Sequence, residues 1–218
     1  MNRDQLDIAL TARDAELLAT LTLRVRCLSF GQVAEHWWGT GRAAVTAARR
    51  RLALLADAGY LLSGEVLARP IVSVQQPLVV WKLDDPMPDF GPIAQILKSR
   101  LQGPPSSIRV FAATARAVRQ VGGNPGRLPR RSETTHDLSL AAVYLLLCRT
   151  APNRARHWVS EAELAARGEG RGQKLADALL VEPGCPPTVV EFGGQYPKQK
   201  LAAFHADCAE RGRNYEIW

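Results

Sequence analysis

The stretch Gly39-Thr-Gly-Arg-Ala-Ala-Val-Thr-Ala-Ala-Arg-Arg-Arg51 predicts the start of a helix with an apolar face on one side and arginines on the other. Apolar residues recur at the helical period from this stretch onward and form one narrow stripe: Val45, Ala48, Leu52 and Leu55. The opposite side of the predicted helix is polar: Arg42, Thr46, Arg49 and Arg50. Guanidinium groups on an exposed helical face can contact guanine edges or phosphates in the DNA major groove. We therefore predict that this face binds DNA; the alternative is an ordinary solvated surface.

The segments before this helix favour a helix-turn-helix arrangement. A leucine-rich helix is predicted within residues 14–26, and a second, short helix at residues 30–37. Gly39-Thr-Gly41 then predicts a tight turn before the arginine-bearing helix, and Gly59 predicts its C-cap. Two helices, a turn and a third helix are the order found in helix-turn-helix DNA-binding domains.

The segments after the helix predict a β-wing. Strand-like runs occur at residues 60–67, 71–74 and 78–83, with Arg69-Pro70 at the predicted turn between the first two. The pattern R-R-L-x-x-L-x-x-x-G-Y-L at Arg50–Leu61 resembles the third helix and first wing strand of many winged helix-turn-helix domains. That resemblance implies a winged helix over residues 1–85, in which Arg69 reaches a phosphate or the minor groove.

Positive charge is concentrated in the middle of the chain. Of the net charge of +7, residues 71–135 contribute nine Lys/Arg against four Asp/Glu, whereas residues 136–218 contain ten of each. The densest part is Arg127-Leu-Pro-Arg-Arg131, within a Gly- and Pro-rich segment. We predict a helical and basic linker region over residues 86–134, whose Arg127, Arg130 and Arg131 bind phosphates without reading sequence. A solubilising linker is the alternative.

Several classes of protein have no support in the composition. No apolar run reaches the roughly 18 residues of a membrane span, and the first residues lack a signal-peptide core. The four cysteines are far apart, which argues against zinc and fits a reducing cytoplasm. No P-loop, Rossmann glycine pattern or G-x-S-x-G motif is present. We expect a cytoplasmic protein without a cofactor.

Residues 135–218 predict an α/β domain with the order helix, strand, strand, strand, helix, strand, so the fold class is mixed α/β (α+β). Asp177 and Glu191 lie within two of its apolar strand-like runs. A carboxylate in a buried strand costs several kcal/mol unless it is paired, protonated or metal-bound. Two of them on adjacent strands can converge on one cation.

This domain resembles the PD-(D/E)XK nuclease superfamily, which places an Asp and a Glu-x-Lys motif on such a hairpin around magnesium. Asp177 matches the first acid and Glu191 the second, which implies a restriction-endonuclease-like fold. Gly193 stands at the lysine position and departs from the motif. We therefore expect neither catalysis nor a metal; an active enzyme would use Asp177 and Glu191, with Lys198 or Lys200 replacing the lysine.

The whole chain also resembles the replication-relaxation family of plasmids and integrative elements. The resemblance rests on four short motifs: His136-Asp137-Leu138, Asp177-Ala178-Leu179, Val190-Glu191 and Lys200-Leu201…Phe204. It implies a DNA-binding protein tied to plasmid replication, mobilisation or their regulation, with a nuclease-like domain that need not be active.

We therefore predict a double-stranded DNA-binding regulator of a mobile element. It is expected to act as a homodimer on an inverted repeat, because one winged helix contacts few bases. Two surfaces are candidates for pairing: the Leu138–Leu147 helix and the terminal strand ending in Trp218. One alternative is a magnesium-dependent endonuclease. Another is a toxin–antitoxin or phage-defence regulator whose second domain binds another protein.

Overall fold

A computed structural model describes residues 8–170 and 174–218. The protein is mixed α/β and forms two compact units, each built from two chain segments. The first unit comprises Met1–Ala68 and Ser106–Ala141, and the second comprises Arg69–Pro105 and Ala142–Trp218. Within the described ranges, no helix combines the length and apolar character needed to cross a membrane.

The described elements follow one another along the chain as α1 (Ala12–Leu23), β1 (Leu28–Ser29), α2 (Phe30–Trp37), α3 (Arg42–Asp57), β2 (Leu61–Ala68), β3 (Val79–Trp81), α4 (Phe90–Arg100), β4 (Ser106–Ala113), α5 (Ala115–Val121), α6 (Thr134–Thr150), α7 (Pro152–Ala155), β5 (Trp158–Ser160), α8 (Glu161–Ala166), β6 (Ala178–Leu180), β7 (Thr188–Glu191), α9 (Lys198–Glu210) and β8 (Asn214–Ile217). Local sequence explains the ends of the first helices. Thr11 and Ser29 begin α1 and α2 with capping boxes, and Gly59, at φ +76°, follows α3.

The first unit contains an antiparallel three-stranded sheet with the order β1-β4-β2. Its two longer strands, β2 and β4, pair over their full length, from Leu61 opposite Ala113 to Ala68 opposite Ser106. Helices α1 and α3 add to the core fully or nearly fully buried leucines at positions 17, 18, 21, 52 and 55. Burial of these side chains is the main stabilising term of such a small unit.

The predicted wing pairing is wrong. Residues 71–74 form no strand, and β3 pairs with β8 in the second unit instead of lying beside β2. The partner of β2 is β4, which comes only after the segment from Arg69 to Pro105. The physical reason is burial: β4 buries Val110 and Phe111 in the core while pairing along all eight residues of β2, whereas residues 71–74 are only four and none of them is buried.

The compact units also depart from the predicted domain boundaries at residues 85 and 134. Within the predicted linker, α4 belongs to the second unit, whereas β4 and α5 belong to the first. The glycine-rich segment after α5 is hydrogen-bonded to the first unit, because the Asn124 N–H donates to the Thr22 carbonyl (2.9 Å) and the Gly126 N–H to the Ala113 carbonyl (2.9 Å). Gly123 has φ +86°, and a Cβ there would lie 2.5 Å from the Thr22 carbonyl oxygen. The backbone of this segment is therefore held against the first unit.

The second unit contains a five-stranded sheet with the order β3-β8-β7-β6-β5. The strands β5, β6 and β7 form an antiparallel meander, β8 runs parallel to β7, and β3 is antiparallel to β8. The predicted order of helix, three strands, helix and strand is confirmed by α6, β5, β6, β7, α9 and β8. Its core includes large buried side chains from the sheet, α4 and α9: Trp81, Phe90, Leu97, Leu179, Leu201, Tyr215 and Ile217.

Candidate functional site

Helix α3 presents the predicted polar face to solvent. Its apolar stripe is buried at Ala48, Leu52 and Leu55, whereas the four residues proposed for DNA contact are all exposed: Arg42, Thr46, Arg49 and Arg50. The Thr46 hydroxyl donates to the Arg42 carbonyl (2.9 Å), which leaves its oxygen available as an acceptor. The structure therefore places these four side chains on one surface of one helix.

The charges on this face are not neutralised by their surroundings. The first turn of α3 contains no acidic residue. The Arg49 guanidinium lies 5.4 Å from the centroid of the Phe30 ring, a contact that orients the group without cancelling its charge. Arg42 and Arg50 form no ion pair with any residue that the structure describes. The face is thus a cluster of guanidinium groups available to an anionic partner.

The next arginine, Arg51, has a different environment. Its guanidinium donates from Nε to both carboxylate oxygens of Asp14 (3.0 and 3.1 Å), and from Nη2 to the Ala9 carbonyl (2.7 Å). Asp14 is fully buried and also accepts hydrogen bonds from Thr11. Burial raises the pKa of Asp14, but the hydrogen bonds from Arg51 and Thr11 more than offset this effect, so the pKa lies below its ordinary value. Arg51 therefore joins α3 to α1, a role that the helical period alone did not indicate.

Arg69 does not lie at the tip of a short wing turn. It directly follows β2, is exposed, and its Nη1 donates to the Gly103 carbonyl (2.6 Å). Gly103 comes shortly before β4, so this hydrogen bond connects the two ends of the segment between the paired strands. The prediction that Arg69 lies in a turn between strands at residues 60–67 and 71–74 is therefore wrong, because residues 71–74 form no strand.

Two of the three arginines predicted on the basic link are exposed without a side-chain ion pair to the described residues: Arg130 and Arg131. Arg127 differs, because its guanidinium binds the Glu133 carboxylate at 2.7 Å. The hydrogen bond from Arg127 holds the pKa of Glu133 below its ordinary value. Arg127 is thus partly neutralised, and the phosphate contacts expected of this segment fall mainly to the other two arginines.

In the second unit, the structure brings together the two predicted carboxylates. Asp177 immediately precedes β6 and Glu191 ends β7, and Ala178 pairs with Val190 between them. The Asp177 Oδ2 accepts a hydrogen bond from the Phe192 N–H (2.8 Å). Glu191 is only 1% exposed, so one of the two acids lies deep in the unit.

Three further side chains complete what we call the Glu191 cluster: Lys174, Tyr196 and Lys200, beside Asp177 and Glu191. The Glu191 Oε1 accepts from the Tyr196 hydroxyl (2.7 Å) and from the Lys174 ammonium, whereas its buried Oε2 has no hydrogen-bond partner among the described residues. Burial and the charge of Asp177 raise the pKa of Glu191, and Lys174 opposes them. Lys174 was missed because it lies in an irregular segment before its strand, where no periodicity points to it.

Only one of the two lysines predicted to replace the motif lysine joins the cluster. The Lys200 Nζ lies 3.5 Å from the centroid of the Tyr196 ring, and the Lys174 Nζ lies 5.2 Å from the same centroid. Burial and the repulsion from Lys174 lower the pKa of Lys200. The Lys198 ammonium lies 3.9 Å from Asp89 instead.

The glycine at the motif lysine position has a structural cause. A Cβ at Gly193 would lie 2.9 Å from Cδ2 of the buried Leu97 on α4, and 3.3 Å from Ile217. Arg100, also on α4, lies with its guanidinium 4.2 Å from the centroid of the Phe192 ring and donates to the Gly193 and Trp218 carbonyls. Because α4 covers this position, a lysine there would require the buried Leu97 side chain to move.

The cluster does not fit a magnesium ion. Magnesium requires near-octahedral oxygen ligands, usually carboxylates, waters and substrate phosphates. The ammonium of Lys174 binds one oxygen of Glu191, and no group of three His, Cys, Asp or Glu side chains that could hold a metal occurs in residues 8–170 and 174–218. As arranged, Lys174 and Tyr196 are hydrogen-bonded to Glu191, Asp177 accepts from the Phe192 N–H, and Lys200 lies over the Tyr196 ring.

The two surfaces predicted for dimerisation are buried in the single chain. In the Leu138–Leu147 segment, Leu138 is 0% and Leu145 is 3% exposed, and Trp218 is 3% exposed. Asp137 of the His136-Asp137-Leu138 motif is also buried and pairs with Arg26 at 3.1 Å. These residues support the fold and are not free for a second copy.

No protein-family model, curated protein or solved structure matches this chain. Its function is therefore inferred from the geometry described above.

Proposed function

We propose that the chain is a cytoplasmic double-stranded DNA-binding protein that inserts α3 into the major groove. The exposed face of α3, with Arg42, Thr46, Arg49 and Arg50, is the observation that carries the proposal. Arginine reads guanine bidentately, and both arginine and threonine contact phosphates or base edges. No acidic residue in the first turn of α3 opposes the approach of a polyanion.

The order of elements in the first unit supports a winged helix-turn-helix. Three helices precede β2, the short β1 lies between the first two, and β4 pairs with both β1 and β2. In such domains the third helix enters the groove and the paired strands lie beside it. The segment from Arg69 to Pro105 is then an insertion between the two wing strands β2 and β4. This insertion contains β3 and α4 and belongs to the second unit.

The biological role that we propose is regulation on a mobile element, by repression or activation or through replication or mobilisation. It rests on the short motifs shared with the replication-relaxation family, among them His136-Asp137-Leu138 and Lys200-Leu201. We further propose binding as a symmetric dimer on an inverted repeat, since two copies double the base contacts. The dimer surface lies outside the buried Leu138–Leu147 segment and Trp218.

Binding of the unmodified protein to duplex DNA tests the proposal. Fluorescence anisotropy with a labelled duplex is expected to show a logarithm of affinity that falls linearly with the logarithm of salt concentration. If the exposed arginines Arg42, Arg49 and Arg50 each neutralise a phosphate, the slope is about −3 or steeper for each bound chain. The single strands of the same sequence serve as the control and are expected to bind more weakly. Absence of duplex binding at low salt, or equal affinity for single strands, would refute the proposal.

The alternative function is a magnesium-dependent endonuclease, and the adjacency of Asp177 and Glu191 favours it. The ammonium of Lys174 on Glu191 and the covered Gly193 oppose it. We expect supercoiled plasmid DNA to remain intact when incubated with the protein and Mg²⁺ or Mn²⁺. A Glu191→Ala variant prepared in parallel controls for contaminating nucleases. Cleavage by the wild type that disappears in this variant would establish the endonuclease and overturn our expectation.

A further inference from the structure

The Glu191 cluster opens onto a cavity of about 200 Å³ in the second unit, on one side of α9. Its walls are largely apolar and include Leu175, Val189 and Phe204. A cavity of roughly 150 Å³ with similar walls accommodates benzene in another protein. The space is therefore sufficient for one substituted aromatic ring.

Glu191, which lines this cavity, has one carboxylate oxygen without a hydrogen-bond partner among the described residues. Glu191 lines the cavity and is 1% exposed, and its Oε2 accepts no hydrogen bond from a described residue. Its other oxygen is already bound by Tyr196 and Lys174. Because buried polar atoms are nearly always hydrogen-bonded, an oxygen that lacks a partner among the described residues is a point at which a donor entering the cavity can bind.

The mouth of the cavity carries two ammonium groups that share one aromatic ring. Lys174 and Lys200 lie 5.2 and 3.5 Å from the centroid of Tyr196, and Lys200 forms no ion pair with the described residues. The other charged groups of the described lining are already paired, Arg213 with Glu169 and Arg211 with Asp207, both at 3.0 Å. An anion placed between the two lysines would relieve their mutual repulsion.

We propose that this cavity binds a small aromatic carboxylate that also carries an N–H or O–H donor on its ring. The carboxylate lies at Lys174 and Lys200, the ring packs against Leu175, Val189 and Phe204, and the donor reaches the Glu191 Oε2. Apolar walls with a few convergent polar groups are typical of small-molecule sites. This binding does not depend on the proposed DNA-binding function.

Isothermal titration calorimetry on the full chain with three matched probes tests the proposal. 4-Aminobenzoate carries both the anion and the donor, benzoate lacks the donor, and aniline lacks the anion. We expect 4-aminobenzoate to bind about tenfold more tightly than either of the others, since each of those two probes forms one fewer charge-assisted hydrogen bond. Equal affinities for 4-aminobenzoate and benzoate, or no binding of 4-aminobenzoate at millimolar concentration, would refute the proposal.

Variants assign the contacts to named side chains. Lys200→Met is expected to lower the affinity for 4-aminobenzoate and for benzoate about tenfold and to leave the affinity for aniline unchanged. Lys198→Met, on the same helix turn but beside Asp89, is expected to leave all three affinities unchanged. Glu191→Gln is expected to abolish the advantage of 4-aminobenzoate over benzoate, because the amide then presents a donor or a neutral acceptor in place of the carboxylate. That advantage is a ratio, so a variant that is only partly folded still reports it. An unchanged ratio in Glu191→Gln, or unchanged acid binding in Lys200→Met, would contradict the assignment.

Discussion

Replacement of Arg51 by alanine is expected to lower the free energy of unfolding of the first unit by about 3–5 kcal/mol. The substitution leaves the Asp14 carboxylate fully buried without its cation. The hydrogen bonds from Thr11 must then offset the cost of removing this charge from water. Removal of one partner of a buried pair is costly for this reason, even where the intact pair contributes little. It also releases the hydrogen bond from Arg51 to the Ala9 carbonyl.

The effect of Arg51→Ala is expected to depend on pH. In the wild type the folded-state pKa of Asp14 lies below its unfolded value, so this stabilisation is complete above the unfolded pKa, near 4, and is lost as the pH falls through the folded pKa. Without Arg51, burial raises the pKa of Asp14 and favours the protonated form. The difference in unfolding free energy between wild type and variant should therefore shrink as the pH falls from 7 towards 4.

Urea denaturation followed by circular dichroism measures this destabilisation, and hydrogen exchange of peptides from α1 and α3 assigns it to the first unit. Arg50→Ala is the matched control, since it removes the same charge from the adjacent, exposed position of the same helix. The control is expected to change the unfolding free energy by less than about 0.5 kcal/mol. If Arg51→Ala were as stable as Arg50→Ala at pH 7, the structural role assigned to Arg51 would be wrong.

The contrast between Arg50 and Arg51 shows what the sequence can and cannot predict. The helical period correctly separates the buried Leu52 from the exposed Arg49, because a helix repeats its faces by local geometry alone. It cannot identify which arginine meets a buried acid on another helix. Asp14 is an ordinary N-terminal helix residue in the sequence, and only the packing of α1 against α3 makes it the partner of Arg51.

The strand pairing of the wing was predicted wrongly for the same reason, because it too depends on tertiary packing. The strand predicted at residues 60–67 agrees with β2 to within one residue, but its partner β4 lies beyond the segment from Arg69 to Pro105. Strand pairing across such a separation depends on which apolar face completes the core, and short-range patterns favour the nearest run instead. In the second unit the adjacency of Asp177 and Glu191 was predictable, because Asp177 directly precedes β6 and Glu191 ends the consecutive antiparallel strand β7.

Lys174 and the cover over Gly193 were not predictable from local patterns. Lys174 lies in an irregular segment, so neither strand nor helix periodicity directs its side chain towards Glu191. Gly193 is covered by α4, a helix far away in sequence. Both features arise from tertiary packing, and both change the chemistry expected of a hairpin that carries two carboxylates.

Replacement of both Arg49 and Arg50 by alanine is expected to weaken binding to the duplex by about 10²- to 10⁴-fold. Each arginine is exposed on α3, and removing the hydrogen bonds of one arginine to a base costs about 1–3 kcal/mol. Alanine is the strongest helix former, and neither side chain contributes to the buried stripe, so the fold should be retained. Among the described residues, the substitution of Arg49 removes its packing on the Phe30 ring.

The matched control is the double variant Arg156→Ala/Arg167→Ala, which removes the same charge from exposed positions of the second unit. Its affinity for the duplex is expected to fall by no more than a few-fold, because charges outside the binding face act only through the general electrostatic term. Anisotropy titrations of the two double variants and the wild type at one salt concentration give the comparison, and circular dichroism shows whether each variant is folded. If a folded Arg49→Ala/Arg50→Ala variant bound the duplex as tightly as the wild type, α3 would not be the DNA-reading helix. An equal decrease of affinity in both double variants would instead indicate attraction by net charge alone.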